Sequence, residues 1–164
     1  MQRLYYSIPF TCALLLTLLV TPAYSQSLTT LTENDVRAML NQWDRAARKR
    51  DMAGIMAPIA KDVKLKIAIT TPQTKGEQSG YLTREQYEFN IRHNLRVARS
   101  YKFERKNIKI KIYDDNTAMV ESELYETFTT GLGPVRGSTS EVLFVGLKDG
   151  KIVITSIDSR ARVY

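Results

Sequence analysis

The chain has 164 residues, with 24 basic residues against 17 acidic ones, a formal charge of +7 and a single cysteine. That length suits one hydrophobic core, and one cysteine excludes both an internal disulfide framework and a thiolate-rich metal site. The first segment, MQRLYYSIPFTCALLLTLLVTPAYSQS, has one positive residue, Arg3, then an apolar run from Thr11 to Val20 broken by Pro22. Ala23-Tyr24-Ser25 puts small residues at the −3 and −1 positions of a cleavage site, so residues 1–25 read as a secretory signal peptide. The apolar run is shorter than the roughly 20 residues of a membrane span. Cys12 opens that run rather than following it, which argues against a lipoprotein site. Cleavage before Gln26 would leave residues 26–164 as one exported domain, periplasmic in a bacterium or secreted. Its charge would be +6, since Arg3 is the only charged residue removed, and its transmembrane helices none. An exported domain has little access to nucleic acid, so the basic excess points to a basic-biased surface.

Thr32, with Asp35 three residues on, predicts a capping box at the start of a helix over about 33–49. Val36, Met39, Leu40, Trp43, Ala46 and Ala47 form its apolar stripe. A short helix over 52–57 stops before Pro58. In DVKLKIAIT, residues 62–70, Val63, Leu65 and Ile67 alternate with Lys64 and Lys66, as in a strand. Residues 71–80 read as a polar loop. Thr83 and Gln86 make a second capping box, opening a helix over 84–98 with Tyr87, Ile91, Leu95 and Ala98 inward.

The remaining chain reads as two antiparallel hairpins. Residues 100–113 and 117–130 turn at Asp114-Asp115-Asn116; residues 136–148 and 151–160 turn at Asp149-Gly150. The expected pairing sets Ile110 against Val120 and Lys109 against Glu121 in the first hairpin, and Leu143 against Ser156 in the second. Both faces of the second hairpin carry apolar residues, so helices should cover one face and a second subunit the other.

The order of helix, short helix, strand, helix and two long hairpins, with RDMAGIMAPIAKDVKLKI and LKDGKIVITSIDSR, resembles the nuclear transport factor 2-like superfamily, including its ketosteroid isomerase and SnoaL-like branches. The resemblance implies an α+β cone, a strongly bent antiparallel sheet wrapped around about three helices, with a pocket at the open end. It also implies a homodimer through the outer sheet face. The isomerase branch places a donor tyrosine and two working aspartates at positions that correspond here to Trp43, Ile67 and Val142. None of these replacements titrates, so the isomerase catalytic residues are missing.

Glu126 shares a face with Val120, Leu124 and Phe128, and a carboxylate among apolar neighbours is a candidate base or ligand anchor. Asp158 is a second catalytic candidate. With Glu141, expected opposite it, and Arg160 it would form a cluster at the sheet rim; limonene epoxide hydrolase-type members of the superfamily that the chain resembles use an Asp–Arg–Asp arrangement, and no spacing here reproduces it. The lone His93 has no partner for a metal site. Arg45, Arg48, Lys49 and Arg50 read as a solvated helix face. The expected pocket is lined by Trp43, Ile67, Tyr87, Val120, Leu124, Glu126, Val142 and Phe144, with no metal and no cofactor. The leading reading is a non-catalytic exported protein that binds a small apolar or amphipathic ligand or acts as an envelope accessory protein. The alternatives are a SnoaL-like isomerase, dehydratase or hydrolase using Glu126, and a membrane-anchored assembly factor of a secretion apparatus.

Overall fold

The computed structural model describes residues 28–73, 76–131 and 133–164; the signal peptide read at 1–25 lies outside the described residues. Helix α1 (Glu33–Lys49) begins at the expected capping box. Thr32 N and Asp35 N each donate to the other residue's side chain, both at 3.2 Å. The helix ends at Arg50, which takes a left-handed φ of 57°. Helix α2 (Met52–Met56) is capped by Asp51, whose Oδ1 accepts from Gly54 N at 3.1 Å. A Cβ on Gly54 would lie 2.8 Å from Ala46 Cβ, so glycine is what lets α2 lie against α1. Helix α3 (Arg84–Val97) begins at the Thr83–Gln86 capping box. Arg50 Nη1 donates to Ala98 O at 2.9 Å, joining the C-terminal ends of α1 and α3. Arg48 Nε donates to Phe103 O at 3.4 Å. Arg48 and Arg50 are therefore fastened to the fold rather than standing free on a solvated face.

Six strands follow the order β2-β1-β6-β5-β4-β3 in one curved sheet. They are β1 (Ile59–Thr70), β2 (Gln78–Leu82), β3 (Ser100–Asp114), β4 (Thr117–Thr130), β5 (Gly133–Lys148) and β6 (Lys151–Val163). The sheet is mixed: β1 runs parallel to β6 and every other pair is antiparallel. β1 starts earlier than its alternating run, because Ile59 already pairs with Ile154 ahead of a register shift. β2 occupies part of the stretch expected as a loop. Its residues are mostly exposed, and it forms by giving the free edge of β1 backbone partners.

Two irregularities set which side chains face the helices. In the first hairpin Ile110 pairs with Val120 and Lys109 with Glu121, as read from the sequence, but the register shifts between Lys106 and Lys109. Asn107 sits in that shift at φ 53°, a left-handed conformation that asparagine tolerates. The extra residue reverses the alternation, so Tyr101, Phe103 and Arg105 point to the same side as Ile108 and Ile110. In the second hairpin Val145 pairs with Ile154 but Phe144 pairs with Ser156, so Thr155 is the extra residue. Leu143 therefore pairs with Ile157 rather than with Ser156, and Glu141 with Ser159. At the turn Asp149 and Gly150 take positive φ of 51° and 69°, as a two-residue hairpin loop requires.

The core gathers on the helix side. Val36, Leu40 and Trp43 of α1 and Ile55 of α2 meet Leu65, Val120, Leu143, Val145, Ile154 and Ile157 of the sheet. The segment ahead of α1 is held at the turn end of the sheet. Leu31 N donates to Asp115 O at 2.7 Å and Leu28 N to Gly150 O at 3.3 Å.

Candidate functional site

In α1, Asp44 stands four residues after Leu40 and eight after Val36, within the apolar stripe, and it is buried with them. A carboxylate cannot stay there uncompensated. Its partner is Arg105, carried inward by the Asn107 bulge: Arg105 Nε donates to Asp44 Oδ1 at 3.1 Å. Arg105 Nη1 donates to Glu141 Oε1 at 2.5 Å and to Ser122 Oγ at 2.6 Å. The guanidinium carbon also lies 5.3 Å from the centroid of Trp43. The three charged side chains are only 2% (Arg105), 8% (Asp44) and 5% (Glu141) exposed. Burial opposes the charge on Arg105, but Glu141 and Asp44 outweigh it and raise its pKa. Burial also raises the Glu141 carboxyl above the ordinary range, with Arg105 pulling the other way and Asp44 and Glu126 adding to the rise.

Beside this network is a cavity of about 130 Å³. Its apolar wall is Ile55, Ile91, Leu95, Leu124 and the rings of Trp43, Tyr87, Tyr101 and Phe103; its polar side is Asp44, Arg105, Glu126 and Glu141. Tyr101 Oη donates to Glu126 Oε1 at 2.6 Å. Both phenols are held in the neutral form: burial raises each pKa, aided by Glu141 and Glu126 at Tyr87 and by Glu126 at Tyr101. A wider depression of about 500 Å³ shares Tyr87, Ile91, Leu124, Glu126 and Glu141 with the cavity. It continues outward along Ile67, Ile69, Leu82 and Ile157. Chamber and mouth lie side by side beneath α3, sharing those five wall residues, in the half of the sheet away from the two hairpin turns.

The structure brings Trp43, Tyr87, Leu124 and Glu126 together at the inner chamber, and places Ile67 at its mouth. Trp43 offers its ring and not its donor, because Nε1 is spent on Ile55 O at 2.8 Å. Val120 is fully buried in the core and does not line the cavity. Phe144 and Val142 do not face the cleft. With Leu143 and Val145 turned inward, their neighbours point to the opposite face, where Phe144 is 44% exposed and Val142 pairs with Asp158. Asp158 likewise lies on that outer face, 3.2 Å from Lys66 Nζ. The Glu141 side chain therefore does not join Asp158 and Arg160, since the Thr155 bulge puts it on the opposite face of the sheet, paired with Arg105. The acid–arginine–acid arrangement that the cluster lacked is present elsewhere, as Asp44–Arg105–Glu141. His93 is exposed at the mouth and stacks on Phe89, ring centroids 6.3 Å apart. Among the described residues no group of three or more His, Cys, Asp or Glu could hold a metal ion.

Asp44, Tyr101, Phe103 and Arg105 escaped the sequence reading. Asp44 carried a signal, being the polar member of the Val36–Leu40–Asp44 row. Tyr101, Phe103 and Arg105 carried a fainter one, an alternation out of phase with Ile108 and Ile110 and separated from it by Asn107.

No protein-family model matches the chain, and no curated protein matches it. Solved structures do resemble it. A conserved protein from Planctomyces limnophilus superposes with a TM-score of 0.61 at 15% identity, covering 80% of this chain and 95% of its own. An NTF2-like protein of unknown function from Pseudomonas putida gives 0.53 at 16% identity, covering 78% and 84%. A hexachlorocyclohexane dehydrochlorinase from Novosphingobium barchaimii gives 0.58 at 10% identity, covering 78% and 84%. At these identities the likeness speaks for architecture alone, and it agrees with the order of elements: the chain adopts the NTF2-like fold.

Proposed function

We propose that this domain is an exported binding protein for a small amphipathic molecule, held in the cleft beneath α3. The observation that carries this is the wall that the chamber and the mouth share. A chamber of about 130 Å³ and a mouth of about 500 Å³ lie against the same five wall residues. The chamber alone is close to the size of a cavity that admits benzene, about 150 Å³. With the mouth, the space falls in the range of ordinary ligand sites. Its apolar walls suit a hydrocarbon stem, and its polar side would orient a head group. Export is supported by the leader-like segment at 1–25. Pairing through the outer sheet face is supported by the exposed ring of Phe144 beside Met119 and Val142 on that face.

Native mass spectrometry of the protein purified from its own host tests this reading. A reproducible small added mass is the expected result. A bare chain, together with Trp43 fluorescence unmoved by small amphiphiles, would overturn it.

A second reading is an elimination or hydrolysis enzyme with Glu126 as the base. It is favoured by one observation, the 2.6 Å Tyr101–Glu126 hydrogen bond inside the cavity, which fixes the carboxylate in place. The dehydrochlorinase with the same fold adds only that the scaffold supports elimination in another protein.

A further inference from the structure

We infer that the cleft selects a small amphipathic ammonium, a protonated amine on an apolar stem, with its nitrogen against Glu126 and its stem running outward past Ile91 and Leu124. This rests on the binding reading above and names the ligand class for the same site.

The argument is an inventory of what each polar group has left to offer. The chamber wall holds three carboxylates, Asp44, Glu126 and Glu141, against one guanidinium, Arg105. Arg105 already donates to Asp44, Glu141 and Ser122. The Trp43 indole N–H is spent on Ile55 O. An anionic head group could still take donors from Arg105 Nη2 and the Tyr87 hydroxyl, but it would face Glu126 beside them. A cationic head group finds the reverse. Glu126 accepts from one neutral phenol, through Oε1, and among the described residues its other oxygen has no hydrogen-bond partner. Glu126 is also only half-buried, so it can be reached from the mouth. The Tyr87 and Tyr101 rings stand in the same wall, and aromatic faces attract a desolvated ammonium. The chain as a whole is strongly positive, so preference for a cation would have to come from the cleft itself and not from the exterior field.

The test is a ligand series with one stem and three head charges: phenethylamine, phenethyl alcohol and hydrocinnamate, titrated at neutral pH by calorimetry and by Trp43 fluorescence. Phenethylamine should bind about tenfold or more tighter than the alcohol, the usual order for a charge-assisted hydrogen bond, with hydrocinnamate weakest. Glu126→Gln should bring the amine-to-alcohol ratio down to about one. Equal binding of amine and alcohol, or tightest binding of hydrocinnamate, would overturn the ammonium assignment and leave the binding reading standing. Binding of none of the three, with no small mass retained in the native spectrum, would overturn both. The wild-type series decides by itself should Glu126→Gln fail to fold.

Discussion

Replacing Arg105 with methionine removes the only cation from a site where two carboxylates are more than nine-tenths buried, at 8% and 5% exposure. Methionine keeps much of the side-chain volume, so the cost is electrostatic rather than a cavity. Breaking a buried ion pair by deleting one partner costs about 3–5 kcal/mol, against a total stability of about 5–15 kcal/mol for a typical domain. Arg105→Met should therefore lose about a fifth or more of the stability at neutral pH. Trp43, the only tryptophan, lies against the guanidinium and reports unfolding directly, so urea titrations followed by its fluorescence measure the loss. Burial already raises the Glu141 carboxyl. Without Arg105 it should rise further, so the variant should regain stability as pH falls from neutrality toward 5. A triple variant, Arg105→Met with Asp44→Leu and Glu141→Leu, removes the stranded charges and should return to within about 2 kcal/mol of wild type. The reasoning is refuted if Arg105→Met costs less than about 1 kcal/mol, or if the triple variant is no more stable than the single one.

Three further outcomes follow from the same geometry. Glu141 has a folded-state pKa raised above its ordinary 4.5, so its favourable contribution is complete below that value and lost as pH rises through the folded-state value. Between pH 4.5 and neutrality the wild type should then lose stability relative to Glu141→Gln; a gap that widens in favour of the wild type would show the sign to be wrong. Asn107→Val forces a β-branched residue into φ 53° and should cost about 1–2 kcal/mol in urea midpoint terms, whereas Asn107→Gly should be nearly neutral; equal costs would mean that the left-handed turn is not what holds the bulge. Phe144→Lys should halve the mass seen by light scattering if the outer face pairs subunits, and a wild type that scatters as a single chain removes that interface.

Much of the architecture was legible because local chemistry dictates it. Thr32 with Asp35 and Thr83 with Gln86 mark helix starts through groups a few residues apart, and Asp149-Gly150 forces a tight turn without help from the rest of the chain. β2 was not legible. QSGYL has no β-branched residue, and it becomes a strand only because β1 offers a free edge nearby. The site was half legible. Glu126 and Leu124 lie on a regular strand, so alternation from Val120 reaches them without error. Arg105 lies beyond the bulge at Asn107 and Asp158 beyond the one at Thr155, and one inserted residue reverses every assignment past it. That effect explains why Arg105 was not anticipated and why Glu141 was set opposite Asp158; Val142 and Phe144 lie on β5, which alternates without a break, and were given to the cleft because the wrong face of that strand was taken as the inner one.

The backbone bonds from Leu31 to Asp115 and from Leu28 to Gly150 have a consequence for orientation. They fix the departure point of the preceding chain at the hairpin-turn end, while the cleft opens among the far ends of the strands. A ligand reaching Glu126 therefore approaches from the end of the sheet opposite the one at which Leu28 and Leu31 are held. Substitutions at Leu28 or Leu31 and substitutions at the cleft wall thus act at opposite ends of the sheet.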